Sequence, residues 1–246
     1  GFEFPHDLDE PESPPHVHPV TGFDPSALGA DCKACPLRSP ERPPVGASYP
    51  AGQAQFAIVG EAPGPTETQC GRPFAGASGT LLDQLGSRAG VDRNFAIVTN
   101  AVSCMPSGVD FAGFEARFRM ENSDRKRRGQ APMKHPMDCC RPRLETELRS
   151  VRDVIPMGSR AMNALLPGVR KSLDSMRGGP LALRRRARGE RWVVEGPDGP
   201  SDVVKTWEER RILPTVHPAR LFPGREPKWT GPFLADLSKS VRFFHD

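Results

Sequence analysis

Four short apolar runs decide what this chain can fold into: QFAIVG (55–60), FAIVTN (95–100), DVIPMG (153–158) and RILPTV (211–216). They are apolar nearly throughout rather than alternating. That pattern suits strands buried on both faces of a parallel sheet. Helical segments fall between and after them. GTLLDQLGSRAG (79–90) sets Leu81, Leu82 and Leu85 at helical spacing and ends on a C-cap glycine. CCRPRLETELRSV (139–151) and SRAMNALLPG (159–168) read as further helices, and FLADLSKSVRFF (233–244) as a closing amphipathic one. Strands alternating with helices imply a four-stranded parallel sheet covered on both faces. Ligands of such sheets sit beyond the carboxyl ends of the strands. The unusual loops after the first, second and fourth runs all leave from that edge.

The loop after the first run, GEAPGPTETQCGRPFAG (60–76), is long for a strand-to-helix link and dense in Gly and Pro. Residues 105–138 form a polar, basic insertion, with a short helix expected around FAGFEARFRM (111–120). RWVVEG and DVVKTW flank PDGP (197–200) and predict a β-ribbon over 184–210. Residues 1–27, rich in Pro, His and acids, read as an extended arm ahead of one domain over 28–246.

The net charge is only +4, but it is unevenly spread. Residues 1–12 hold five acids and no Lys or Arg, whereas RKRR (125–128) and RRRAR (184–188) are concentrated basic blocks. Such blocks favour a phosphate-backbone partner. No run has transmembrane length and no signal-peptide core is present, so a soluble, cytoplasmic monomer without a membrane partner is expected.

The six cysteines do not form a disulfide framework in a reducing compartment; clustered Cys there bind metal. Cys32 and Cys35 make a chelating pair in a polar segment, Cys104 follows the second strand, and Cys139 and Cys140 open a helix. Two plus one plus one gives four thiolates, enough for a structural zinc or an iron–sulfur cluster. Cys70 has no obvious partner.

Together these segments resemble the iron–sulfur branch, family 4, of the uracil-DNA glycosylases. GEAPGPTETQCGRPFAGASGTLLDQL (60–85) is similar to that family's GEAPGxxEDxxGRPFVGxxGxLL, and VTNAVSCMP (98–106) to its ITNxxKCRP. CRPRLETEL (140–148) resembles CxPFLxxEL, DVIPMGSRAMNALL (153–166) a strand–LGxxAxxxLL unit, and TVHPARLF (215–222) the second active-site motif YHPAxLL. The likeness runs from about Cys32 to the C-terminus. It implies a three-layer α/β/α sandwich and a DNA glycosylase that flips uracil out of DNA and hydrolyses its N-glycosidic bond. It also implies a 4Fe-4S cluster on Cys32, Cys35, Cys104 and Cys140.

A glycosylase must grip an extruded base and stabilise its departure as an anion. Phe74 is the stacking candidate. Asn100, able to donate and accept, suits the Watson–Crick edge of uracil. His217 is the donor for the charge that develops on the base oxygen, helped by the first-loop backbone at Gly60, Ala62 and Gly64. Glu61 is the nearest carboxylate for water, since the position that holds Asp in other uracil glycosylases resembles Ala62. Glu67 stays in register with the family motif, but Thr68 replaces the Asp that follows it there. DNA contacts are expected from Ser78 and Gly76 at a helix start, and from Arg220 and Leu221 as the loop that fills the vacated stack. Two other readings stand beside uracil excision. The same fold can act on a modified or damaged base such as a 5-substituted pyrimidine, with the pocket re-shaped by Thr68, Cys70 and the insertion. Alternatively, the chain is a non-catalytic nucleic-acid binder stapled by its cluster.

Overall fold

The computed structural model describes residues 22–107, 110–166, 172–177, 181–185, 192–196, 199–203, 210–222 and 224–244. Strands β1 (Phe56–Gly60), β2 (Ala96–Asn100) and β3 (Asp153–Pro156) are buried along their whole length, as their unbroken apolar sequences require. β1 pairs in parallel with β2 and β3, and β3 pairs in parallel with β7 (Arg211–Ile212). Pro156, the last residue of β3, has no N–H for the ladder, while its carbonyl accepts from the Thr215 N–H at 3.1 Å.

The expected four-stranded parallel sheet is therefore present, but it does not stop there. Within the span expected to form a ribbon, β5 (Trp192–Gly196) pairs with β6 (Gly199–Val203), which starts inside PDGP; a strand not expected, β4 (Leu181–Arg185), joins β5 to β7, antiparallel to both. The result is one seven-stranded sheet in the order β2-β1-β3-β7-β4-β5-β6. β7 itself is two residues long, shorter than RILPTV predicted, because the chain after Ile212 leaves the ladder except for a bridge from Thr215 to Met157.

Helices supply the outer layers. The first loop holds a six-residue helix, α1 (Pro65–Cys70), where an irregular connection was expected. α2 (Ala77–Ala89) ends on left-handed Gly90, whose N–H reaches back to the carbonyls of Gly86 and Ser87. α3 (Phe111–Arg127) carries the insertion and is longer than predicted. α4 (Pro136–Glu147), α5 (Ser159–Leu165), α6 (Leu173–Met176) and α7 (Thr230–Phe244) complete the set. α2 packs with α7, and α4 with α5 and the turn Pro25–Leu28. Ile58, Ile97 and Ile155 of the sheet share one core with Leu82, Leu144, Leu148, Phe233 and Leu237 of these helices. Truncating a side chain such as Ile58 to Ala costs about 2–5 kcal/mol in such a site.

Residues 1–21 of the expected arm lie outside the described residues, as do 186–188 of the second basic block; Pro25–Leu28, where the arm ends, is a 3-10 turn rather than extended chain. No helix of the described residues is long and apolar enough to cross a membrane.

Candidate active site

A cavity of about 290 Å³ opens at the carboxyl edge of β1 and β2. Ala62, Gly64 and Glu67 of the first loop, Phe74, Gly76 and Ser78 before and within α2, Asn100 at the end of β2 and His217 all line it. The sheet thus gathers residues that lie far apart in sequence, because parallel strands end at one edge.

Phe74 is buried and adopts a left-handed backbone (φ 53°), uncommon for a bulky residue. Three groups hold it there. Glu67 accepts the Phe74 N–H with one carboxylate oxygen and the Gly64 N–H with the other, at 2.5 Å. Arg93, anchored through its guanidinium to Asp83 of α2, donates to the Phe74 carbonyl at 2.9 Å. Gly79 lets that carbonyl pack where any Cβ would collide with it. The strained conformation is therefore fixed by its surroundings. The ring lies offset and nearly parallel to the His217 imidazole, with centroids 5.9 Å apart and planes 24° apart.

His217 follows the β7 segment and caps the 3-10 turn Pro218–Leu221, its Nδ1 accepting the Ala219 N–H at 3.1 Å. A ring whose Nδ1 accepts carries its proton on Nε2. Burial, with Arg225 nearby, lowers its pKa to about 4, so the imidazole is neutral and a donor near neutrality. Thr215, two residues earlier, donates to Asp236 of α7 at 3.0 Å, and Asp236 also accepts from Arg177.

Asn100 is buried, and its Nδ2 has no hydrogen-bond partner. Such a group is costly unless something pairs with it. Oδ1 lies against Gly60, where an added Cβ would overlap it and stand 2.8 and 2.9 Å from the Phe74 ring. Behind the strand end, Arg143 of α4 donates to the Asn100 carbonyl at 2.7 Å and to the Ala101 carbonyl at 3.2 Å.

Two expected residues are placed differently. Glu61 does not line the cavity. Its carboxylate accepts from Arg160 of α5 at 3.1 Å, and Arg160 is held in turn by Glu115 of α3, with its guanidinium over the Phe111 ring. Burial raises the Glu61 pKa and Arg160 opposes the rise. Leu221 is only 1% exposed, so it is a core residue of the turn and not an accessible wedge. Arg220 is the exposed side chain there, paired with Glu226 and lying over Trp229. Thr68 and Cys70 also face away from the cavity. The Thr68 hydroxyl donates to the Gly64 carbonyl at 2.9 Å, and the Cys70 thiol lies against the carbonyls of Glu67 and Arg72. The sequence motif includes Glu67 without pointing to its hold on Phe74, and it does not point to Arg93 at all. Glu67 at the third position of a helix that follows Gly was the legible signal for the first.

Cys32, Cys35, Cys104 and Cys140 share one neighbourhood: each of the first three feels the charge of Cys140. Burial, reinforced by the neighbouring thiols, pushes Cys35 up to about 12 and Cys104 up to about 11. Cys139 approaches Cys35. Among the described residues no three His, Cys, Asp or Glu side chains are arranged to hold a metal ion. Thiols are the donor chemistry that an iron–sulfur cluster uses. Cys104 and Cys140 are buried and Cys32 and Cys35 half-buried, and the guanidinium of the buried Arg143 stands beside Cys140.

A parallel sheet with a neutral His, an orphaned Asn amide and a clamped aromatic at its carboxyl edge defines an α/β enzyme with a pocket for one planar polar ligand. Residues 47–238 match the uracil DNA glycosylase superfamily, and the chain belongs to that family. A type-4 uracil-DNA glycosylase of Thermotoga maritima is 23% identical over 214 residues, 86% of this chain and 88% of the relative. The type-4 enzyme of Sulfurisphaera tokodaii is 26% identical over 76% of this chain and 70% of its own. That of Pyrobaculum aerophilum is 42% identical over 78 residues, 31% of this chain and 38% of the relative.

Proposed function

We infer that this protein is a DNA glycosylase that excises uracil. The observation that carries the reading is the buried, unpartnered Nδ2 of Asn100 in the same cavity as a neutral His217. The Asn100 amide offers one acceptor and one donor, which match N3–H and O4 of uracil. Cytosine presents the opposite pattern at those two atoms and leaves both amide groups unpaired, a mismatch that costs orders of magnitude in rate. Phe74 supplies the stacking face. As the glycosidic bond breaks, its electron pair leaves with the base, and negative charge builds on O2. The Nε2–H of His217 donates to that oxygen without transferring its proton, the role a neutral imidazole suits. Water then adds to the sugar cation and loses a proton.

Glu67, the one acidic residue lining the cavity, has both oxygens occupied by backbone amides. The reaction is therefore driven by stabilising the leaving base. Glu61 acts on water only when Arg160 releases it. Ser78 and Gly76 at the start of α2, with Arg220 at the rim, bind the flanking phosphates. Cys32, Cys35, Cys104 and Cys140 hold a 4Fe-4S cluster, which would tie the chain around Cys32 and Cys35 to α4 and the loop after β2. The protein works as a cytoplasmic monomer on DNA.

The Thr68 hydroxyl and the Cys70 thiol bond to carbonyls of their own loop, which supports uracil over a modified base read at those two positions. The test is release of free base from duplexes carrying uracil, cytosine, thymine or a 5-substituted pyrimidine. Release from the uracil duplex alone is expected. Binding without release from any duplex would overturn the enzyme reading. A broad absorbance at about 400 nm with bound iron is expected for the cluster; bound zinc without colour would refute it.

A further inference from the structure

The position at which the resembling motif CxPFL reads Phe is Arg143 here, and its side chain is wholly buried. Few residues are costlier to bury, so its surroundings carry information. Nη1 donates to Glu147 Oε2 at 2.5 Å and to Thr99 Oγ1 at 2.9 Å, and Thr99 Oγ1 itself donates to the same carboxylate oxygen at 2.7 Å. Nη2 donates to the carbonyls of Asn100 and Ala101, the two residues at which β2 ends and the loop leading to Cys104 begins. Cys140 lies beside the guanidinium, and Nε has no hydrogen-bond partner among the described residues. One side chain therefore touches the strand end that presents the base reader and a proposed cluster thiolate.

We propose that Arg143 is a positioning residue for uracil recognition: it fixes the peptide of Asn100 from behind, so that the side-chain amide meets the base in a set orientation, and its Nε–H is reserved for the Cys140 sulfur. The main-chain carbonyl at the end of β2 has no further strand beyond it to pair with. β2 is also an edge strand of the sheet, bonded to β1 alone among the described strands. Without the guanidinium, that strand end would lose two charge-assisted hydrogen bonds. The Glu147 carboxylate, whose Oε1 is already unpartnered, would then be left as a buried charge held by one hydroxyl. The i,i+4 pairing with Glu147 keeps the guanidinium planar against the strand from within α4.

The proposal rests on Asn100 reading the base, and the test separates the two. Arg143→Met and Arg143→Lys are made in the full chain. Four quantities are measured: single-turnover uracil excision, inhibition by free uracil, binding to a uracil-free duplex, and iron per chain. For Arg143→Met we expect excision to slow and inhibition by free uracil to weaken, each by about tenfold to a hundredfold, the range for losing hydrogen bonds from a charged donor. Uracil-free duplex binding should stay within twofold of wild type, and Arg143→Lys should recover part of both losses. If both variants match wild type in excision and inhibition, the proposal fails. It also fails if excision falls only in proportion to lost iron, because Arg143 would then serve the cluster and not Asn100. Should Arg143→Met not fold, Thr99→Val removes the hydroxyl shared by Arg143 and Glu147; weaker inhibition by free uracil supports the proposal and unchanged inhibition overturns it. Wild-type protein that releases no uracil at all refutes the parent reading instead.

Discussion

Gly60→Ala tests whether the Asn100 amide is the base reader without touching that amide. Gly60 is the last residue of β1 and pairs with Asn100 across the ladder. An added Cβ would stand 2.8 and 2.9 Å from Cε2 and Cζ of Phe74 and closer still to Asn100 Oδ1. Ordinary contact needs 3.4 Å or more. The Phe74 backbone is clamped by Glu67 and Arg93, so the ring has little room to retreat. The Asn100 side chain must give way, by about 1 Å, and a misplacement of that size in a reacting constellation costs about a hundredfold in rate. A hundredfold corresponds to about 2.7 kcal/mol of transition-state stabilisation. The strain on folding is about 1–3 kcal/mol, the usual cost of overpacking by one methyl. Single-turnover excision from a uracil duplex measures the first quantity, and chemical denaturation the second. Binding to a uracil-free duplex serves as the control and should not change. If Gly60→Ala excises within threefold of wild type, Asn100 Oδ1 is not held where a base would meet it, and the assignment is wrong.

Further outcomes follow from the same geometry. The folded His217 pKa of about 4 lies below the ordinary 6.5, so the unfolded chain binds the extra proton. His217 therefore contributes stability that is present above 6.5 and lost as pH falls toward 4, and the single-turnover rate should be flat through 6.5. An acid limb centred on 6.5 would show that the imidazole is not held neutral. Glu67→Gln replaces one of two accepting oxygens by an NH2 group that faces a backbone N–H. We expect a loss of about 1–3 kcal/mol in stability from the unpaired group, with weaker inhibition by free uracil as Phe74 loosens. Unchanged uracil inhibition would mean that Glu67 does not position Phe74. Cys140→Ser should lose bound iron while Cys139→Ser keeps it; retention in both would remove Cys140 from the ligand set.

The sheet was legible in the sequence because its strands are buried on both faces, and nothing else of that length is apolar throughout. What lay in long-range pairing was not legible. A ribbon over 184–210 is expected from sequence, but the attachment of β4 to β7 depends on register between strands far apart in the chain, which no local pattern encodes. α3 was cut short for another reason. Phe111, Phe114 and Phe118 make a helical stripe, but the residues after Met120 are charged and solvated, so the helix runs on without an apolar signal. From sequence HPARL reads as an open loop, which would leave Leu221 accessible. As a 3-10 turn capped by His217 it directs Leu221 into the core and leaves Arg220 outside.

Arg143 and Asn100 show where sequence patterns stop and physical accounting takes over. Arg143 and Glu147 at i,i+4 on a helix read as a solvated ion pair, worth a few tenths of a kcal/mol. Buried, the same pair is costly unless every donor finds an acceptor, and what satisfies it is the carbonyl end of β2 together with Thr99. That arrangement spends a fully buried guanidinium on fixing the backbone of a residue whose side-chain Nδ2 is left without a partner among the described residues. A fold under pressure for stability alone would do neither. An immobilised strand end carrying an open hydrogen-bonding edge is what a pocket needs when its partner arrives from outside, and the donor–acceptor pattern of that edge is the one uracil completes.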